Sequence, residues 1–178
     1  MKKWLGTICS FAASIFTFIF MAIPVWSMEQ MGTKTSFNGY ELISGETEVF
    51  GQKMNIFEDY GAWSRYRIFA IVLLVLAAIL AVYAVFMLLI NLNVLKIEGS
   101  WISTVNKVLL TVTLVAAVLA LTAVLSINGD IAKDIGIKVK DLKEMYDNKI
   151  GTQVGIWLVA GVNAIACACG WLLGRESK

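Results

Sequence analysis

Histidine is absent from the 178 residues, proline occurs once, and only 16% of the side chains are charged. Without histidine the chain lacks the commonest general base, the commonest metal ligand and the usual titrating switch near neutrality. So low a charged fraction, beside 58% hydrophobic residues, excludes an ordinary soluble domain and a disordered chain. A net charge of +2 leaves no basic surface for nucleic acid, so no nucleic-acid partner is expected. Gly-x-Ser-x-Gly, Walker-type and His-Glu-x-x-His motifs are all missing, and with them the common routes to hydrolysis and phosphate binding. We therefore expect no enzyme, no cofactor and no metal site.

What is present is apolar and organised. Four runs contain no Asp, Glu, Lys or Arg: Trp4–Met28, Ile68–Leu95, Val108–Gly129 and Ile150–Gly174. Each exceeds the roughly 20 residues that a helix needs to cross a hydrocarbon core. Trimmed, they predict spans near 5–26, 67–91, 105–127 and 153–173. Trp4, Trp26, Trp63, Trp101 and Trp171 fall at or just outside a run end, and Trp157 lies in the first turns of the fourth. This is the arrangement of an aromatic belt at headgroup level. The first run is longer than the apolar core of a signal peptide, so it is expected to be a retained span. The fold class is thus an all-α integral membrane protein. It forms an antiparallel four-helix transmembrane bundle with a small β-containing extracytoplasmic loop region, all in a single domain.

With both termini inside, the inner segments carry Lys2, Lys3, Lys96, Lys107, Arg175 and Lys178 against Glu98 and Glu176. Cation density is higher there than in the longer outer loops, as positive-inside orientation requires. The expected setting is a cell membrane, crossed several times, with both termini cytoplasmic. The absence of any Asn-x-Ser/Thr sequon and the excess of Lys over Arg suit a bacterial plasma membrane.

Outer loop 1, about 27–66, reads as patterned rather than as a linker. Thr33–Phe37, the turn pair Asn38-Gly39 and Tyr40–Ser44 predict a β-hairpin, because Asn-Gly tolerates a type I′ turn. Gly45-Glu46 then turns into a strand over Thr47–Phe50. Phe37, Tyr40, Leu42, Val49 and Phe50 supply an apolar face, and Phe37, Tyr40, Leu42, Arg65 and Arg67 make the candidate outer partner surface. In outer loop 3, about 128–152, Ile135, Ile137 and Val139 alternate as in a short strand. Asp141–Asn148 predicts a helix that extends the fourth span outward. The inner loop, about 92–104, is short and polar, which makes its flanking helices antiparallel neighbours.

Within the spans, Asn163 is the candidate intramembrane polar site, with Thr111, Thr113 and Thr122 as possible partners; threonine also bonds its own helix backbone. Gly6, Ser10 and Ser14 recur every four residues, as do Ala77/Ala81, Ala116/Ala120, Ala160/Ala164 and Ala166/Gly170. Such stripes let helices approach closely, inside one bundle or between copies. Cys9, Cys167 and Cys169 read as small packing residues at similar depth, which makes spans 1 and 4 neighbours.

Four spans with both termini inside and a strand-like first outer loop resemble the claudin/PMP22-like plan. Gly61-Ala62-Trp63 is a distant echo of the claudin Trp…Gly-Leu-Trp…Cys…Cys signature, whose two cysteines are missing here. The run Phe37-Asn38-Gly39-Tyr40-Glu41-Leu42-Ile43-Ser44-Gly45 is similar to a first-loop Gly-aromatic-x-Leu-Ile-x-Gly pattern of small uncharacterised four-span proteins from Gram-positive bacteria. The expected partners are the lipid bilayer and a membrane protein or a second copy. The function expected is non-enzymatic protein–protein interaction, as an accessory subunit or self-assembling protein. The alternative is a component of a transporter or channel for a neutral or apolar substrate.

Overall fold

The computed structural model describes residues 2–30, 32–49, 52–55, 62–97 and 99–173. In chain order its elements are α1 (Lys2–Met21), β1 (Pro24–Gln30), β2 (Thr33–Asn38), α2 (Gly39–Ser44), β3 (Glu46–Val49), β4 (Gln52–Asn55), α3 (Ala62–Asn91), α4 (Trp101–Ile135), α5 (Val139–Met145), β5 (Ile150–Thr152) and α6 (Val154–Leu173). α1, α3, α4 and α6 are long and apolar enough to cross a membrane. α1 packs on α3 and α6, and α4 packs on the same two. Pairs between α1 and α3 run in opposite order along the two helices: Thr7 with Asn91, Ser14 with Ala77 and Met21 with Tyr66.

Several span boundaries differ from expectation: the second helix begins at Ala62 rather than near residue 67, and the third at Trp101 rather than near 105. The first helix stops at Met21 rather than near residue 26. Pro24 has no backbone N–H and pushes the residue before it toward extended conformations, and Val25 and Trp26 then favour a strand. The third helix runs on to Ile135, through the Asn128-Gly129-Asp130 that reads as the start of a loop. One glycine costs a helix only about 1 kcal/mol, and tertiary bonds from Asn128 and Asp130 hold this turn in place. The helix ends at Gly136, whose φ of 77° suits the left-handed cap.

The expected hairpin over 33–44 is not formed. β2 pairs backward, antiparallel to β1, and the three-stranded sheet has the order β2-β1-β5. Asn38 caps α2 instead of turning a hairpin. Its side chain accepts from the Tyr40 and Glu41 amides, and the Glu41 carboxylate accepts from the Asn38 N–H. This capping box satisfies amide groups that a helix start leaves unpaired. The strand expected over Thr47–Phe50 is present as β3, Glu46–Val49, paired with β4; Phe50 lies outside the described residues.

In the third loop the strand expected over 135–139 is absent: Ile135 ends α4 and Val139 opens α5. The helix expected over Asp141–Asn148 is α5, but it does not extend α6. Asp147 and Asn148, at φ 49° and 60°, turn the chain into β5 before α6 begins.

The main core lies where the sheet meets the helices. Trp26, Phe37, Leu42, Tyr66, Leu73, Ile127, Leu142 and Ile156 are all buried in it. Trp26 therefore belongs to the core rather than to an aromatic belt. By contrast Trp4, Trp101, Trp157 and Trp171 are about half exposed, at 40–51%.

Candidate functional site

α1 turns a seam of hydroxyls inward. Thr7, Ser10, Ser14 and Thr17 recur at intervals of three and four, which keeps them on one helix face. All four are buried. A hydroxyl out of water is costly unless it is bonded, and each of these has a partner. Asn91 on α3 donates to Thr7 Oγ1 at 2.9 Å. Ser10 donates to Asn106 Oδ1 on α4 at 2.6 Å, and Asn106 Nδ2 reaches the Gly6 carbonyl at 3.4 Å. Ser14 donates to the Ala77 carbonyl on α3 at 2.8 Å. Thr17 donates to Ala13 O and accepts from Asn163 Nδ2 on α6 at 2.8 Å. One helix is thus bonded to the three others along its length.

Asn163 sits at the Thr17 end of this seam. Its Nδ2 donates to Thr17 and to Val159 O at 2.9 Å, so both amide hydrogens are used. Oδ1 is buried and accepts no hydrogen bond. The Thr17 proton is directed to Ala13 O, which leaves Thr17 an acceptor for Asn163 and orients the amide.

The partner of Asn163 is therefore Thr17 on α1, not a threonine of the third span. Thr111, Thr113 and Thr122 each donate to their own helix, to Lys107, Leu109 and Leu119 carbonyls. Thr111 also accepts from Trp171 Nε1 at 3.0 Å, beneath a Lys107 ammonium 5.6 Å from the same indole. Cys9 and Cys167 are buried in one cluster with Leu80, Leu110 and Ala166, and Cys169 packs against it, so the first and fourth spans are neighbours as expected.

The small residues divide. Ser10 and Ser14 are part of the hydroxyl seam, and the Gly6 carbonyl accepts from Asn106 Nδ2. Gly170 faces inward, where an added Cβ would lie 2.5 Å from Leu110. Ala166 is buried, Ala160 is half-buried and Ala164 is exposed.

The strands of the two loops are fastened to the helices at one point above all. Asn128 of α4 accepts from Trp26 Nε1 at 3.0 Å and donates to the Ile150 carbonyl at 3.3 Å, so it holds β1 and β5 together. Tyr40 donates to Phe18 O, a carbonyl near the free end of α1. Arg65 pairs with Asp130, and Lys149 with Glu29. Of the candidate outer surface, Phe37 and Leu42 are buried in the core and are not available as a surface. The reason is that β2 lies on β1 and the α2 capping box turns Leu42 inward. Tyr40, Arg65 and Arg67 are exposed.

Thr7, Thr17, Asn91 and Asn106 escape a search for small residues at every fourth position. The signal that finds them is the three-four spacing of hydroxyls in α1. No family model, no curated protein and no solved structure matches the chain.

Proposed function

We propose that this is an integral membrane protein, an antiparallel four-helix transmembrane bundle with both termini cytoplasmic. It acts without catalysis, by presenting an outer cap to a membrane-protein partner or a second copy. The claudin/PMP22-like plan of spans is the frame for this reading. The membrane part is supported by the outward helix faces, where Val82, Ile165, Ile68 and Leu172 are 60–72% exposed. Such continuous apolar surface belongs against lipid.

The observation that carries the functional part is the fastening of the cap. Strands from two separate loops form one sheet, and Asn128 ties that sheet to a span. A rigidly mounted surface keeps the entropy cost of association low. Among the described residues the β3–β4 hairpin joins no other strand, and in this reading it is the part that meets the partner.

The test replaces residues 46–55 by a Gly-Ser linker and crosslinks the protein in its native membrane. Insertion should persist and the crosslinked complex should disappear. An unchanged complex would sink the reading. The second reading, a transporter or channel component for a neutral or apolar substrate, draws on the unpartnered Asn163 Oδ1. Against it, Asn163 borders neither of two surface concavities found among the described residues. An Asn163→Leu change that altered flux would restore it.

A further inference from the structure

α6 begins beside the point where α1 ends, and the two helices run antiparallel. A Cβ on Gly155 would lie 2.6 Å from the Ile23 carbonyl. Seven residues deeper into the bundle on each chain, Phe16 and Val162 border the same apolar groove. A step of seven returns to the same face in left-handed helix packing. The next step of seven arrives at Cys9 on α1 and Cys169 on α6. This third rung is a contact as well. Cys169 packs against the apolar cluster that holds Cys9, and the two thiols share a hydrogen bond.

Cys167 takes no part in this rung. It lies two positions from Cys169, about 200° around the helix. Its sulfur is 3.7 Å from Thr111 Oγ1 on α4. All three cysteines are free. Cys9 is 8% exposed, among Ala13, Leu80, Leu110 and Ala166, whereas Cys169 is half-buried. A charged reagent is costly to bring into such surroundings, but disulfide formation starts and ends with uncharged groups.

We infer that Cys9 and Cys169 form a redox-sensitive latch, a disulfide that fastens α1 to α6 when an apolar two-electron oxidant reaches it. A diazene meets the balance. The Cys169 sulfur, the more exposed of the two, adds to the N=N bond, and its proton moves to the second nitrogen. The Cys9 sulfur then attacks the Cys169 sulfur. The S–N bond breaks, and the Cys9 proton goes to the departing nitrogen. One S–S bond has formed, and the diazene leaves as a hydrazine with two electrons and two protons. A quinone meets the same balance and leaves as its quinol.

The test uses the full chain, reduced and held in detergent micelles, and diamide, a neutral diazene. After treatment the protein is denatured, and each remaining thiol is tagged with a polymer-bearing maleimide that shifts the gel band. Untreated protein takes three tags. Treated protein should take one, with Cys9 and Cys169 in one linked peptide, and dithiothreitol should restore the other two. Cys167→Ser should still lose two tags, whereas Cys9→Ser and Cys169→Ser should lose none. Unfolding in mixed micelles should need more denaturant after oxidation. Three tags after treatment, a Cys9–Cys167 link, loss of tags in Cys169→Ser, or a disulfide between copies would each overturn the pair. An unchanged unfolding midpoint would contradict its role as a latch.

Discussion

Thr17 and Asn163 meet across the α1–α6 seam at 2.8 Å, and neither side chain reaches solvent. The pair is unequal. Thr17→Val leaves an Asn163 amide with one donor unused and Oδ1 still unpaired. Asn163→Leu removes both groups together. An unsatisfied buried polar group is more costly than an apolar replacement of the same shape. Thr17→Val should therefore destabilise by about 1 kcal/mol, near the upper end for bonds between membrane helices. Asn163→Leu should lie closer to zero, and the double variant should cost less than the sum. Reversible unfolding in mixed micelles checks the order, and an Asn163→Leu protein weaker than Thr17→Val would contradict it.

Gly155 and Gly161 lie six residues apart on α6 and predict opposite outcomes. A Cβ on Gly155 would lie 2.6 Å from the Ile23 carbonyl and 2.7 Å from that of Pro24. These are backbone atoms, which cannot step aside as a side chain can. Gly155→Ala should cost about 1–3 kcal/mol and loosen β1 from α6. Gly161→Ala meets open space and should be neutral, or stabilising by up to about 1 kcal/mol through helix propensity. The same unfolding measurement separates the two.

Asn38→Ala removes the side chain that caps α2. A loss of about 0.5–2 kcal/mol is expected, confined to α2 and the strands beside it. Hydrogen exchange should speed up at Tyr40 and Glu41 and stay unchanged along α3. Equal protection at Tyr40 and Glu41 in both proteins would contradict the capping box.

Lys149 links the sheet to pH. The Glu29 carboxylate, by hydrogen bond and by charge, raises the Lys149 ammonium above the ordinary lysine range. The folded state therefore holds this proton more tightly than the unfolded chain. The contribution is complete below the unfolded value, about 10.4, and is lost as pH rises through the higher folded value. Sheet docking should be flat from neutral pH to about 10 and weaken above it. In Lys149→Gln that alkaline step should be absent. Emission from Trp26, with the other tryptophans replaced by phenylalanine, reports it; a variant that tracks the parent protein would contradict the linkage.

The long helices were legible because charge-free runs are a direct record of length and environment. Their ends were not, because two local rules competed with longer-range contacts. Asn38-Gly39 reads equally as a hairpin turn and as a cap followed by a first helical residue, and Glu41 decides for the cap. Asn128-Gly129 reads as a loop until Trp26 and Ile150 give Asn128 bonds that keep it helical. The prominence of Asn163 in the span was legible, whereas its partner depended on which helix faces it. Thr17 carried no sign of that except its place in the three-four hydroxyl spacing.

Sidedness tests the account most directly, because one outer cap on four spans is its central claim. Single cysteines are placed at Lys34, Lys140 or Ile97 in a chain whose Cys9, Cys167 and Cys169 are replaced by alanine. Intact cells are then treated with a membrane-impermeant maleimide. The account predicts labelling at positions 34 and 140 before permeabilisation, and at 97 only after it. Labelling at 97 in intact cells, or protection at 34 with labelling at 140, would contradict it.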